Sequence, residues 1–263
     1  MIWVRPDLGA LFGALAFDDF LALGQHTVKT SADGARRTAA FERGGRRFYV
    51  KTHAGVGWGE IAKNWLQGKR AVVDAATEAR ALERCAARGV PAPRLVAWGV
   101  AGVNPAARRS FVVTEELAGA ERLSAVLARE APLAPAERRA LARRLGELVA
   151  RLHAAGLAHR DLYLDHVFVR GARGEAELFL LDLHRALPGA SARERWRVKD
   201  LSALYASARA HAVTNTDAAR FLRAYAGSAA RLGERERALW RRCARRATVY
   251  GRRSARASTG KPG

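Results

Sequence analysis

Residues 156–169 read GLAHRDLYLDHVFV, and residues 180–186 read LLDLHRA. The first stretch sets the triplet His159-Arg160-Asp161 after a glycine and ahead of the apolar run Val167-Phe168-Val169. The second carries Asp182 at the end of another apolar run, Leu178 to Leu181. Asp182 follows Asp161 by 21 positions, with a glycine-containing turn at Gly171 to Gly174 between them. The pattern is a loop, a strand, a turn and a second strand that ends in a carboxylate. One carboxylate can take a proton from a hydroxyl, and the other can hold a hard divalent cation through oxygen.

Outward from this pair the chain changes character. Residues 27–52, TVKTSADGARRTAAFERGGRRFYVKT, have turn signals at Asp33-Gly34 and Gly44-Gly45 flanked by strand-like residues. They predict a three-stranded antiparallel meander ending in Phe48, Tyr49 and Val50, with Lys51 at its close. A short helix is expected before it, over Asp18 to Gln25. After it, HAGVGWGEIAKNWLQGKRAVV is a glycine-rich turn opening into a helix. Asp74 to Arg88 predicts another, with Ala79, Leu82, Cys85 and Ala86 on one face and Gly89 as the stop. VPAPRLVAWGV and SFVVTEELAG read as two further strands. From Pro135 helices dominate, led by one with Leu141, Leu145, Leu148, Val149 and Leu152 at the spacing of one face and Gly156 at its end. Helices are also expected in ERWRVKDLSALYASARAHAV, DAARFLRAYAGSA and ERERALWRRCARRATVYG. The expected organisation is an N-terminal lobe over 1–117, a helical lobe over 118–251 and a flexible basic tail over 252–263.

Composition bounds the partners. The chain has 263 residues, enough for a full core, and 49% are hydrophobic. Lys plus Arg number 46 against 25 Asp plus Glu, a net charge of +21. Only Lys29, Lys51, Lys63, Lys69, Lys199 and Lys261 are lysines, so the excess is arginine, whose planar fork suits phosphate and carboxylate. The charge fits a phosphorylated substrate, an anionic membrane face, a small acidic protein or nucleic acid. No RRM, KH or C₂H₂ pattern is present, so nucleic acid is not the expected partner. Cys85 and Cys243 stand in helical patterns without metal spacing and read as two buried small side chains in a reducing compartment. The stretch GALFGALAF lacks the basic start and small-residue cleavage site of a leader, and no apolar run reaches membrane-spanning length. A cytoplasmic protein resting on a membrane is expected.

Taken together the segments resemble a protein-kinase-like fold: α+β, bilobal, with a small antiparallel-sheet N-lobe and a mainly helical C-lobe. Phosphoryl transfer needs a grip on nucleotide phosphates, a metal and a base beside the acceptor. Lys51 is the candidate for the phosphates, with Glu78 as its ion-pair partner and Glu83 as the runner-up. Asp161 is the candidate base, and Asp182 the Mg²⁺ ligand. Asp200 looks like the helix Asp that braces the loop backbone, with His159 in the same supporting role. No G-x-G-x-x-G precedes Lys51, so Arg36 and Arg37, with backbone N–H groups near Asp33 and Gly34, are the candidates for covering ATP. Two features depart from protein kinases. His166 stands where a metal-binding Asn is usual, and the second motif is Asp182-Leu183-His184. His166 is the candidate second metal ligand, with Asp165 as the alternative. Asp200 follows Asp182 by only 18 positions, too short for a segment that binds a protein substrate. The acceptor is expected to be a small molecule, glycan or lipid head group. Arg185, Arg193, Arg195 and Arg197 in that interval suit an anionic one, and Tyr163 and Arg185 with Arg197 are the candidate acceptor-binding residues.

These residues resemble one family more closely, the lipopolysaccharide kinase (Kdo/WaaP) family, and within it the core heptose(I) kinases. The matching segments run from Arg36 to Tyr205: ARRTAAF, VKTHAGVGWGEIAKN, ATEARAL, GVPAPRLVAWG, SFVVTEEL, HRDLYLDH, LLDLHRA and RWRVKDLSALYASA. His166 and the DLH triplet look like this family's own pattern, although Leu162 and Asp165 stand where relatives often carry Cys. The resemblance implies ATP- and Mg²⁺-dependent transfer of the γ-phosphate to the first heptose of the lipopolysaccharide inner core, beside Kdo and lipid A, at the cytoplasmic face of the inner membrane. A Kdo kinase of the same family is the alternative, and another glycan kinase a further one. A basic nucleic-acid-binding protein and a pseudokinase scaffold are the readings from other classes. Intact Lys51, Asp161 and Asp182 argue against the scaffold.

Overall fold

Two adjacent glycines shape the heart of the sheet. In the computed structural model Gly44 and Gly45 have φ of 56° and 68°, the left-handed pair that a two-residue hairpin turn demands. They join strands β3 (Arg36–Arg43) and β4 (Arg46–Ala54), which pair from Arg43↔Arg46 to Arg36↔His53. The structure describes residues 1–24, 26–30, 34–66, 72, 74–129, 133–171, 176–189, 193–211, 213–228 and 232–259. Asp33 of the first expected turn and most of the Gly171–Gly174 turn lie outside them.

The chain forms two compact units. The first comprises Met1–Arg84, Pro93–Ala118 and Leu183–Arg185; the second comprises Cys85–Ala92, Gly119–Asp182 and Ala186–Gly263. The main division thus falls after Ala118, but two short segments cross over. No helix among the described residues is long and apolar enough to cross a membrane.

The first unit is built on a six-stranded antiparallel sheet. It contains β1 (Ile2–Val4), β2 (His26–Thr30), β3, β4, β5 (Leu95–Ala101) and β6 (Arg109–Glu115), in the order β1-β5-β6-β4-β3-β2. The meander expected over residues 27–52 is β2-β3-β4. Strand β1 was not expected; it pairs with β5 through Trp3↔Trp98. The stretch read only as lacking leader features is structural. It supplies the short helix α1 (Gly9–Phe12), and α2 (Phe17–Ala22) follows where a short helix is expected over Asp18 to Gln25; their Phe12 and Phe20 are wholly buried against Phe48 and Phe111. The Phe20 and Phe111 rings stack at 4.3 Å. Each such ring contributes about 1.5–3 kcal/mol by leaving water. Helices α3 (Gly57–Leu66) and α4 (Ala76–Ala87) follow β4. On α4, Ala79, Leu82 and Cys85 are buried as the periodicity predicts, whereas Ala86 is exposed.

The second unit is mainly helical. It holds a short strand β7 (Glu121–Arg122), α5 (Leu123–Leu127) and α6 (Pro135–Ala154), with Leu145, Leu148, Val149 and Leu152 buried. Pro135 opens α6 at a position where its missing N–H costs nothing, and Glu137 accepts the Ala134 N–H at 2.9 Å. Helices α7 (Glu194–Arg209), α8 (Asn215–Tyr225) and α9 (Glu234–Thr259) complete the set. The last takes in most of the stretch expected as a flexible tail. Gly146 lets α6 and α8 approach: a Cβ there would lie 2.4 Å from the Phe221 carbonyl oxygen. Two small sheets frame the central loops, pairing β8 (Leu157–Ala158) with β11 (Leu187–Pro188), and β9 (Val167–Arg170) with β7 and β10 (Glu177–Leu180). Both cysteines are free and buried, and burial pushes their thiols up to about 12 for Cys85 and about 11 for Cys243. They stay protonated and inert.

Candidate active site

In the first unit, Lys51 extends from β4 between Thr38 of β3 and Val112 of β6. Its Nζ lies 2.6 Å from Glu78 Oε1. Glu78 is 4% exposed, so the carboxylate depends on this partner. The start of α4 is fixed by three contacts. Asp74 accepts the Ala76 N–H at 3.0 Å and the Arg108 guanidinium at 2.8 Å, and the Ala75 N–H donates to the Ser110 hydroxyl at 2.9 Å. This anchoring sets Glu78 one turn later, in the first turn of the helix, where the dipole favours an anion. The sequence reading preferred Glu78 to Glu83, and the side chain that meets Lys51 is Glu78. Arg36 lies opposite His53 across the strands. Arg37 Nη2 donates to the carbonyls of Leu21 and Leu23 at 3.2 and 2.6 Å, closing the end of α2. That structural use was invisible in the sequence. Burial, with Arg36, His184 and Lys51 nearby, pushes the His53 imidazole down to about 4.

The second unit holds the loop of the H-R-D triplet. Asp200, wholly buried on α7, accepts the backbone N–H groups of His159 and Arg160, both at 2.7 Å. His153 Nε2 reaches the same carboxylate at 3.3 Å, and its Nδ1 meets the Tyr225 hydroxyl at 2.8 Å. His159 is buried and faces the Leu181 carbonyl oxygen through Nε2 at 2.9 Å; burial depresses its pKa and keeps the ring neutral. The Leu181 N–H donates to the His166 carbonyl at 2.9 Å. Leu181 is thereby clamped from both sides, and Asp182 is the next residue. Arg160 and Asp182 are the two non-glycine residues among those described with positive φ, at 71° and 61°. Backbone strain of this kind persists where surrounding bonds over-determine it, and it clusters at functional sites. Here it sits in both motifs.

His166 takes the place of the usual Asn. Its Nδ1 lies 2.7 Å from the Asp161 backbone oxygen. A carbonyl can only accept, so Nδ1 carries the proton and Nε2 is left to face Asp182 Oδ2 at 3.5 Å. The Tyr163 ring packs edge-on against His166 at 6.1 Å. Asp165, the alternative ligand, is taken by the Ser124 hydroxyl at 2.5 Å. Among the described residues no group of three or more His, Cys, Asp or Glu could hold a metal by itself. The Asp182 carboxylate supplies the oxygen that suits Mg²⁺, an ion held by few protein ligands and by substrate phosphates, whereas the imidazole beside it is the poorer match.

The basic interval after Asp182 divides. Arg160, Arg195 and Lys199 converge on the Trp196 ring at 5.0, 5.1 and 5.8 Å. Arg197, one residue on, is half-buried beside Tyr225. Arg185 ends the turn Leu183–Arg185 that belongs to the first unit. The sequence reading missed Arg160 and Lys199; a tryptophan inside an arginine run was the available signal. It also missed an apolar cavity of about 270 Å³ in the second unit, lined by Leu123, Leu141, Leu164, Leu201, Phe221 and Trp240 among others.

Comparison with known proteins bears on this arrangement. The model of the lipopolysaccharide kinase (Kdo/WaaP) family matches residues 19–225. A lipopolysaccharide core heptose(I) kinase WaaP from Pseudomonas aeruginosa is 42% identical over 196 residues, 72% of this chain and 73% of that protein. Its Escherichia coli K12 counterpart is 36% identical over 198 residues, 73% of this chain and 75% of that one. A 3-deoxy-D-manno-octulosonic acid kinase from Actinobacillus succinogenes is 28% identical over 127 residues, 48% of this chain and 50% of that protein. A solved structure of WaaP in complex with acyl carrier protein superposes with a TM-score of 0.75 at 31% identity, covering 95% of this chain and 98% of that one. The kinase-like fold expected from the sequence is thus the fold observed.

Proposed function

The chain belongs to the lipopolysaccharide kinase (Kdo/WaaP) family, and from that membership we propose that it transfers the γ-phosphate of ATP to a hydroxyl of the first heptose of the lipopolysaccharide inner core. The observation that carries the choice of sugar is the contrast among relatives. The heptose(I) kinases match at 36–42% identity over about 72% of the chain, and the Kdo kinase at 28% over 48%.

Lys51, steadied by Glu78, holds the nucleotide phosphates. Asp161 accepts the proton of the attacking heptose hydroxyl, and the new bond forms to the γ-phosphorus as ADP leaves. Asp182, with His166 beside it, would hold Mg²⁺, which supplies charge neutralisation on the phosphates. Asp200 and His159 keep the loop in its strained conformation. The cations around Trp196 serve the anionic groups of the acceptor, and Tyr163 lies beside the acceptor sugar. The enzyme works at the cytoplasmic face of the inner membrane, in peripheral contact with it.

The acidic partner is proposed to be acyl carrier protein. The solved relative is a complex with it, and the apolar cavity of the second unit has the chemistry of an acyl-chain site. Co-purification followed by mass analysis of the bound carrier tests this, with an acylated form expected.

The test of the main reading is transfer of labelled phosphate from ATP to two acceptors, core truncated after the first heptose and core truncated at Kdo. Label on the first alone is expected. Label on the Kdo-only acceptor would make the enzyme a Kdo kinase, and label on neither would overturn the kinase assignment.

A further inference from the structure

Helix α3 has its polar residue inside and its aromatic residues outside. Asn64 is buried, and its amide donates to the backbone carbonyl and Oε1 of Glu60 at 2.8 and 2.7 Å. Trp58, Trp65 and Leu66 are 62%, 78% and 80% exposed. At about 100° per residue Trp58, Ile61, Ala62, Trp65 and Leu66 share one face, with Glu60, Lys63 and Asn64 on the other. A helix packed on a water-facing protein carries its apolar stripe inward; this one reverses the rule. The turn between β5 and β6 abuts its start. The Gly57 N–H donates to the Ala106 carbonyl at 2.9 Å, and a Cβ on Gly55 would lie 2.8 Å from that oxygen. This brings Val103, 94% exposed, to the same end of the unit.

The chemistry selects the occupant. Indoles with aliphatic neighbours on one side of a short helix, and a lysine on the other, are what settles at the boundary of headgroups and acyl chains. Lys63 is exposed, and Lys69 and Arg70 follow Leu66 by three and four positions in the sequence. The net charge of +21 draws the whole chain towards an anionic surface.

We propose that the Trp58–Trp65–Leu66 face of α3 is a membrane anchor that lies in the interface of an anionic phospholipid bilayer. This rests on the reading that the acceptor is a lipid-borne glycan, and it names the element that brings the enzyme to it. The reacting groups are on other elements, so the anchor governs access to a bilayer-held acceptor and not the chemistry.

The test uses the full chain and vesicles of phosphatidylethanolamine and phosphatidylglycerol. Trp58→Ser/Trp65→Ser/Leu66→Ser should lower co-sedimentation by about tenfold or more. It should phosphorylate a deacylated, water-soluble core oligosaccharide at the wild-type rate and lose rate only on acceptor embedded in vesicles. Trp58→Phe/Trp65→Phe should still sediment, yet lose most of the fluorescence quenching that brominated lipid causes in the wild type. Unchanged sedimentation of the triple variant would overturn the anchor, as would a wild type that fails to sediment. Loss of acyl carrier protein binding with vesicle binding intact would assign the face to a protein instead. If the wild type phosphorylates neither acceptor, the kinase reading falls, and sedimentation still decides the anchor.

Discussion

Asp200 Oδ1 accepts the backbone N–H of Arg160 at 2.7 Å, and Arg160 is held there at a φ of 71°. The same buried carboxylate accepts the His159 N–H. One side chain therefore satisfies two donors of a strained loop and fixes the residue before Asp161. Asp200→Ala leaves both N–H groups without their acceptor, each at about 1–3 kcal/mol. The loop should then relax toward ordinary φ, and kcat should fall by about 10²-fold, the scale of an ångström-level misplacement. Urea midpoints and kcat report the two effects. Asp200→Asn, which keeps one oxygen, should recover part of the stability. An Asp200→Ala enzyme with wild-type kcat would remove the bracing role.

The Lys51–Glu78 pair separates stability from chemistry. Glu78 is buried and Lys51 is 30% exposed at its side chain. Lys51→Ala strands a buried carboxylate, at about 3–5 kcal/mol. Lys51→Ala/Glu78→Gln removes the stranded charge, so its thermal midpoint should rise back toward the wild type while activity stays lost. A double variant that regains activity along with stability would show that Lys51 only props the helix.

His53 makes stability depend on pH in a definite direction. Its folded value of about 4 lies below the ordinary 6.5. Between those values the unfolded chain binds a proton that the folded chain refuses. Its contribution is complete above about pH 6.5 and declines as pH falls to about 4, by about 3 kcal/mol in all. His53→Gln should flatten this acid limb. Urea midpoints at about pH 7.5 and about pH 4.5 give the comparison, and an equal acid loss in both proteins would exclude His53 as its source.

Local chemistry was legible, and distant packing was not. The Gly44-Gly45 hairpin, the Lys51 strand and the H-R-D loop each announce themselves within a few residues. Lys51–Glu78 and His159–Asp200 were legible through the resemblance of their segments to a protein-kinase-like fold. Strand β1 finds its partner only in Trp98 and its neighbours, far along the chain, and three residues carry no periodicity. Phe12 and Phe20 sit in runs too short to show a face. Arg37 could not be told from the other arginines by composition, since its partners are the carbonyls of Leu21 and Leu23 at the end of α2. The last helix defeated a reading that weighed its polar composition above its length.

His166 gives the sharpest test of the metal arrangement. With Nδ1–H committed to the Asp161 carbonyl at 2.7 Å, Nε2 faces Asp182 Oδ2 at 3.5 Å. Imidazole nitrogen favours later transition metals over Mg²⁺ more than an amide oxygen does. The wild-type enzyme should therefore keep appreciable activity with Mn²⁺ or Co²⁺ relative to Mg²⁺. His166→Asn should lower that ratio several-fold while keeping Mg²⁺-supported turnover within about tenfold. His166→Ala loses both the ligand and the bond to Asp161, so it should fall much further with every metal. Unchanged metal ratios in His166→Asn, with turnover intact, would confine His166 to holding the loop and leave Asp182 as the protein's metal ligand.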